Sequence, residues 1–238
     1  MPLRETDWLE KNINKVKIID CSWHMPQTNR DGFKEYKKRH IENAIFFDLD
    51  ENSKKNTHLP HMLVEIDVWE KIVSKMGITN DDEIIIYDNS DVISSCRCWF
   101  NFIYFGHDPK LVHVLNGGLT KWVDERRKVT DETRKVKISN YKSFEKIDLV
   151  KTKKLIDQNI DKQIFKVIDA RSLERFKGQV QEPRKGLRSG NIKNSMCIPF
   201  QNCLNKNKTF KNKDELIAVF KTCLKNLNEK NIVFSCGS

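Results

Sequence analysis

The sequence predicts an α/β protein of two similar domains, each a mainly parallel sheet flanked by helices, with the second domain incomplete. Three observations lead there. Short strands that are apolar throughout alternate with helices of apolar periodicity, the pattern of a sheet covered on both faces. A set of landmarks recurs in the same order at a nearly constant offset of 148 to 151 residues. Some 36 residues of the first copy have no counterpart before Ser238.

The elements follow in chain order. Val16-Lys-Ile-Ile-Asp20 and Phe165-Lys-Val-Ile-Asp169 are apolar runs that end in Asp and open a polar loop. Ile41-Glu-Asn-Ala-Ile45 and Ile192-Lys-Asn-Ser-Met196 are the next matched pair. Each is followed by a helix, marked by Ile66, Trp69, Ile72, Val73 and Met76 in one copy and by Leu216, Val219, Phe220 and Leu224 in the other. Each helix leads into a strand, Ile84–Tyr87 or Ile232–Ser235, and the next residue is Asp88 or Cys236. The first copy continues with the aromatic segment Trp99, Phe100, Phe102, Tyr104 and Phe105, the strand Leu111–Leu115, an Asn-Gly-Gly turn, and a helix carrying Leu119, Trp122 and Val123. The charged stretch 124–135 lacks apolar periodicity, so domains at 1–127 and 140–238 are expected around a linker at 128–139. The second domain is expected to be truncated and, for that reason, impaired in stability and activity.

The 238 residues include 43 Lys and Arg against 33 Asp and Glu, a formal charge of +10. The basic residues are scattered among Asn and Ile without an aromatic-basic pattern, so no nucleic-acid partner is expected, only attraction of small anionic substrates. No apolar run approaches the roughly 20 residues that a membrane-spanning helix needs, and the start has neither an apolar signal core nor an Arg/Ser-rich leader. No membrane association and a cytoplasmic location are expected. The odd count of seven cysteines argues against a disulfide framework. Cys96-Arg-Cys98 has no second close pair to complete a zinc site. No metal or organic cofactor is implied.

In parallel α/β folds ligands gather beyond the carboxyl ends of the strands, the place that Cys236 occupies. A cysteine there, followed by Gly-Ser, meets backbone N–H donors that stabilise a thiolate. On spacing alone, however, it reads more readily as a small buried apolar residue. Likewise, an arginine in the Lys/Arg-rich loop around Arg175 and Arg184 reads first as solvated surface. Asp50 reads as a turn or N-cap residue, and His61 as a loop histidine.

Val233-Phe-Ser-Cys-Gly-Ser238 resembles the beginning of the Cys-Gly-Ser-Gly-Val-Thr active loop of 3-mercaptopyruvate sulfurtransferases, in the tandem rhodanese family. Further landmarks resemble that family in order along essentially the whole chain: Asp20-Cys-Ser-Trp-His-Met-Pro26, His40-Ile-Glu-Asn-Ala-Ile-Phe-Phe-Asp-Leu-Asp50, Phe105-Gly-His107 with Val114-Leu-Asn-Gly-Gly-Leu119, Asp169-Ala-Arg171, Arg175-Phe176 and Glu182-Pro-Arg-Lys-Gly-Leu-Arg-Ser-Gly190. The resemblance implies two tandem rhodanese-like domains, the first catalytically silent because Asp88 stands where Cys236 does.

It also implies roles. Cys236 is the expected nucleophile, taking sulfur from 3-mercaptopyruvate, releasing pyruvate and passing the sulfur from a persulfide to a thiol acceptor. Thioredoxin, glutathione and cyanide are all admissible acceptors. Arg175 and Arg184 match the carboxylate-binding arginines, and Gly237 is likewise expected to bind substrate. Ser238, His61 and Asp50 match the relay proposed for this family, in which an imidazole oriented by a carboxylate assists proton movement.

Thiosulfate sulfurtransferases share the fold, but their loop follows the cysteine with Arg-Lys, which suits a dianion. The neutral Gly237-Ser238 favours a keto acid. A cysteine-dependent phosphatase would carry its arginine beyond Ser238, and the Gly-Ser start and the repeat oppose it. The alternative from another class is a non-catalytic rhodanese-like binding module, motivated by the truncation.

Overall fold

The computed structural model describes residues 2–183 and 186–237. Of the residues singled out in the sequence, Arg184 and Ser238 lie outside the described residues. The chain divides into two compact units, one ending at Leu149 and one running Val150–Gly237.

The first unit is built on five strands. They are β1 (Leu3–Arg4), β2 (Lys17–Asp20), β4 (Ala44–Phe46), β5 (Ile84–Tyr87) and β6 (Val112–Leu115), hydrogen-bonded in the order β1-β6-β5-β2-β4 with every pairing parallel. Its helices are α1 (Thr6–Asn12), α2 (Gly32–Lys38), α3 (Ile66–Lys75), α4 (Ser95–Tyr104) and α5 (Gly118–Asp124). The continuous apolar strands follow from burial on both sides. Ile84 and Ile86 of β5 face a core that contains Trp69 of α3 and Phe102 of α4, while Ile85 and Tyr87 face a second core with Leu9, Tyr36, Leu119 and Trp122. Side chains alternate across a strand, so helices on both faces demand apolar residues at every position. A short antiparallel pair, β3 (His40–Ile41) with β7 (Val129–Thr130), closes one corner.

The second unit holds α6 (Lys153–Lys162), β8 (Lys166–Asp169), α7 (Leu173–Phe176), β9 (Met196–Cys197), α8 (Lys213–Lys221) and β10 (Ile232–Ser235). Its parallel sheet runs β10-β8-β9. Ser235 and Cys197 flank Asp169, as Tyr87 and Phe46 flank Asp20 in the first unit. Asn43 and Asn194, at matching places in the two copies, both adopt the left-handed backbone with φ of 67° and 66°, a conformation that Asn tolerates better than most side chains. Helix α8 opens with a capping box between Asn212 and Glu215. It stops at Lys221, before Leu224, which nevertheless buries against Ile168 and Ile198.

The division between units falls beyond the 128–139 stretch expected as linker. Thr130 is paired in β7, the Ser139 N–H donates to the Ser74 carbonyl, and the Tyr141 ring is buried and stacked on His107. The Lys146 N–H donates to Tyr104 O at 2.8 Å, so the chain is hydrogen-bonded to the first unit almost to Leu149. Apart from the two residues of β7 this stretch adds no regular strand or helix long enough to show a period; it satisfies backbone groups and fills one aromatic slot. Among the described residues no helix is long and apolar enough to cross a membrane.

Candidate active site

In the second unit, strand β8 ends at the buried Asp169 and strand β10 at Ser235, and Ala170 N–H donates to Ser235 O at 2.8 Å, locking the two strand ends together. Asp169 turns the chain by accepting the Arg171 N–H at 2.9 Å, and its carboxylate takes the guanidinium of the same residue, with Nη2 to Oδ2 at 2.6 Å. Arg171 reaches onward, donating from Nη1 to Oε1 of Glu182 at 2.8 Å and from Nη2 to the Gly190 carbonyl at 2.7 Å. Ser172 caps helix α7, and one turn along sits Arg175, whose Nε and Nη2 grip Oε1 and Oε2 of Glu182 at 3.1 and 2.6 Å. The Glu182 carboxylate is only 3% exposed, and the Arg175 fork, reinforced by Arg171, holds its carboxyl below the usual glutamate range.

This chain of pairs ends at the candidate nucleophile. Cys236 follows β10, is exposed and is not in a disulfide. The guanidinium of Arg175 lies directly against Gly237, so that a β-carbon there would collide with Nη2. A larger residue there would make the guanidinium give way, against the hold of Glu182. Arg175 thus lies beside Gly237, the residue after Cys236. Arg171 and Glu182 belong with them, although the sequence assigned them no role. The available signal was the Asp-x-Arg spacing at a strand end and a glutamate seven residues after Arg175.

In the first unit Asp50 and His61 meet. Nε2 of His61 lies 2.8 Å from Oδ1 of Asp50, and the indole N–H of Trp23 donates to Oδ2 at 2.9 Å. The Trp23 ring stands edge-on to the imidazole, with centroids 4.7 Å apart. His61 is 5% exposed, sits in the left-handed region at φ 53°, and its carbonyl accepts from Arg97. The Asp50 side chain does not cap the local turn; the Asp48 carboxylate does, accepting from Glu51 N, while the carbonyls of Asp48 and Asp50 accept from Asn52 N and Ser53 N. The hydrogen bond to His61, with help from Trp23, holds the Asp50 carboxyl below its ordinary value.

Asp88, the positional counterpart of Cys236, occupies its own loop. It accepts from Ser90 N at 2.8 Å and Ser90 Oγ at 3.1 Å, and its other oxygen takes the N–H of Ser95, the first residue of α4, at 2.9 Å. The donors of a helix start that would serve an external anion are taken up by the side chain itself.

Parallel strands, an exposed cysteine just beyond a strand end and an arginine laid against the next residue are the features of this α/β scaffold. The profile of the rhodanese-like domain matches residues 5–125. A thiosulfate/3-mercaptopyruvate sulfurtransferase of Arabidopsis thaliana, named as mitochondrial, is 35% identical over an alignment of 260 positions, spanning 100% of this chain and 68% of the relative. Mouse 3-mercaptopyruvate sulfurtransferase is 32% identical over 96% of this chain and 76% of its own length, and mouse thiosulfate sulfurtransferase 34% over 92% and 75%. The crystal structure of SseA from Escherichia coli, described as a 3-mercaptopyruvate sulfotransferase, superposes with a TM-score of 0.89 at 26% identity, covering 100% of this chain and 88% of that one. The chain belongs to the rhodanese-like sulfurtransferase family, a family of enzymes.

Proposed function

We propose that this protein transfers the sulfur of 3-mercaptopyruvate, through a persulfide on Cys236, to a thiol acceptor. The observation that carries the reading is the exposed Cys236 at the end of β10 with the Arg175 guanidinium against the adjoining Gly237. A thiolate is the competent nucleophile. The Cys236 thiolate attacks the donor sulfur, an S–S bond forms, and the C–S bond breaks with its electron pair passing to C3. Protonation at that carbon releases pyruvate. An acceptor thiolate then attacks the outer sulfur and displaces the Cys236 thiolate, so no external oxidant or reductant is consumed. Arg175, with Arg184 as its proposed partner, binds the carboxylate of the keto acid, for which an Arg fork is suited. The buried imidazole of His61, oriented by Asp50, is the proposed proton carrier, and Ser238 the third member of that relay.

The organisation proposed is two tandem rhodanese-like domains, the first silent because Asp88 cannot carry a sulfane sulfur and fills its own loop. The repeated sheet order and the matched Asn43 and Asn194 support it. Thioredoxin-like proteins and glutathione are the proposed thiol acceptors, and cyanide an acceptor that is not a thiol and attacks the outer sulfur through its carbon. The seven unbridged cysteines suit a reducing compartment, the cytoplasm in this reading.

The test is pyruvate release from 3-mercaptopyruvate, with thiosulfate assayed in parallel, on the chain and its Cys236→Ser variant. Loss of the nucleophile is expected to lower turnover about a thousandfold or more. Turnover that survives Cys236→Ser overturns the reading. Faster turnover of thiosulfate reassigns the donor, and a folded chain inactive on both points to a binding module.

A further inference from the structure

We propose that Glu182 is a positioning residue that aims Arg175 at the Cys236–Gly237 turn and so sets the affinity of that turn for the carboxylate of an α-keto acid donor. The inference rests on the proposed donor-binding role of Arg175.

An arginine side chain on the surface samples many rotamers, and a carboxylate-binding fork is effective only when its direction is set beforehand. Arg175 stands on a helix of a single turn, Leu173–Phe176, which by itself gives the side chain no fixed direction. The direction comes from Glu182. Its carboxylate takes Nε and one hydrogen of Nη2, and this leaves Nη1 and the outer edge of Nη2 turned toward Gly237. Glu182 is in turn held by Arg171, whose Nη1 donates to the Oε1 that also accepts from Arg175 Nε, and Asp169 anchors Arg171 to the end of strand β8. The aim of Arg175 is therefore referred, pair by pair, to the same strand end that is hydrogen-bonded to Ser235, the residue before Cys236. The four side chains Asp169, Arg171, Glu182 and Arg175 carry two negative and two positive charges. The cluster is thus internally balanced, and its effect on a donor arises from direction more than from net charge.

Glu182→Asp separates the two contributions, because it keeps the charge and withdraws the carboxylate by one methylene, about 1.5 Å. The experiment compares Glu182→Asp, Glu182→Gln and Arg175→Gln with the unaltered chain, each checked for folding by circular dichroism and thermal melting. Expected for Glu182→Asp is a rise in KM for 3-mercaptopyruvate of about tenfold with kcat within about twofold, as for loss of one aligned charged hydrogen bond in the bound state. A merely structural role would lower the amount of active enzyme and leave KM where it was. Glu182→Gln carries the test if the aspartate variant does not fold, since its amide cannot accept at both positions, and it is expected to raise KM at least about fivefold.

A second readout is independent of turnover: the rate of Cys236 alkylation by iodoacetate relative to iodoacetamide, followed by mass spectrometry. An aimed Arg175 draws in the anionic reagent, so the ratio is expected to fall several-fold in both Glu182→Asp and Arg175→Gln. Folded Glu182 variants with unchanged KM and an unchanged alkylation ratio overturn the proposal. If Arg175→Gln leaves KM unaltered while the alkylation ratio falls in both variants, the positioning stands and the donor-binding role of Arg175 fails.

Discussion

Replacing Asp20 with Asn is expected to stabilise the first unit, by an amount that grows with pH. Asp20 ends strand β2 and is 2% exposed. Its equivalent Asp169 is neutralised by Arg171, but the residue two places after Asp20 is Ser22, which offers only its N–H, at 2.9 Å, and a hydroxyl. Burial pushes the Asp20 carboxyl up to about 7 from an ordinary 3.8, against hydrogen bonds from Ser22 and Tyr87, and the nearby Asp88 charge adds to the rise. The folded state thus holds this proton more tightly than the unfolded chain does. Stability is undiminished below the unfolded value of 3.8 and falls as pH rises from there to about 7, where the loss levels off. Integrating between those values gives a cost of about 2 kcal/mol at pH 5 and about 4 kcal/mol at pH 8. Asn can still accept the Ser22 N–H, and its amide can donate to the Tyr87 hydroxyl, so the variant avoids the ionisation without losing the contacts. The assay is urea unfolding at pH 5 and pH 8 followed by tryptophan fluorescence. All five tryptophans, at positions 8, 23, 69, 99 and 122, lie in the first unit and report on it alone. The gap between variant and parent is expected to widen by about 2 to 3 kcal/mol between the two pH values. A gap that does not change with pH, or a variant less stable at pH 8, refutes the reasoning.

Gly237→Ala places a methyl group against Nη2 of Arg175, whose retreat is limited by the Glu182 fork, and should lower kcat/KM for 3-mercaptopyruvate about ten- to a hundredfold; steady-state kinetics at wild-type level would contradict this packing. Tyr141→Ala removes a ring buried against His107, and a loss of about 3 to 5 kcal/mol in the fluorescence-monitored stability of the first unit is expected. A loss below about 1 kcal/mol would mean that the chain around residue 141 only rests on that unit. Trp23→Phe takes one donor from Asp50, so its carboxyl should titrate at higher pH, toward its ordinary value, and the carboxyl carbon resonance in a pH series reads this directly. An unmoved midpoint would show that the indole does not hold the carboxylate.

Much of the architecture was legible in the residues because it is local. The apolar composition of Ile84–Tyr87 matches burial at all four positions; Ile232–Ser235 has a similar composition and the same parallel pairing, although it lies at the edge of its sheet with Phe234 exposed, and the ordered landmarks announced a repeat. The position of Cys236 just past a strand end was equally plain, since it needs only the strand and the next residue. What sequence could not supply was the partner of each polar group. Asp48 and Asp50 are alike in type and two residues apart, yet one caps a turn and the other takes His61 and Trp23, because the direction of each side chain depends on a loop whose path is set by distant packing. The stretch at 128–139 looked like linker because it is charged and aperiodic, while its backbone is tied to β3 and α3 by hydrogen bonds that leave no periodic mark.

The sequence by itself determined the alternation of strands and helices, the repeated order and the placing of a cysteine in the second copy where the first has an aspartate. Only the tertiary structure decided that Asp169, Arg171, Glu182 and Arg175 form one connected set ending at Gly237, and that Asp88 consumes its own loop's donors. The physical reason is that apolar burial is a property of each element and repeats with its period. The pairing of charges and hydrogen bonds is a property of angles and distances fixed only when separate loops have been brought to the same strand ends.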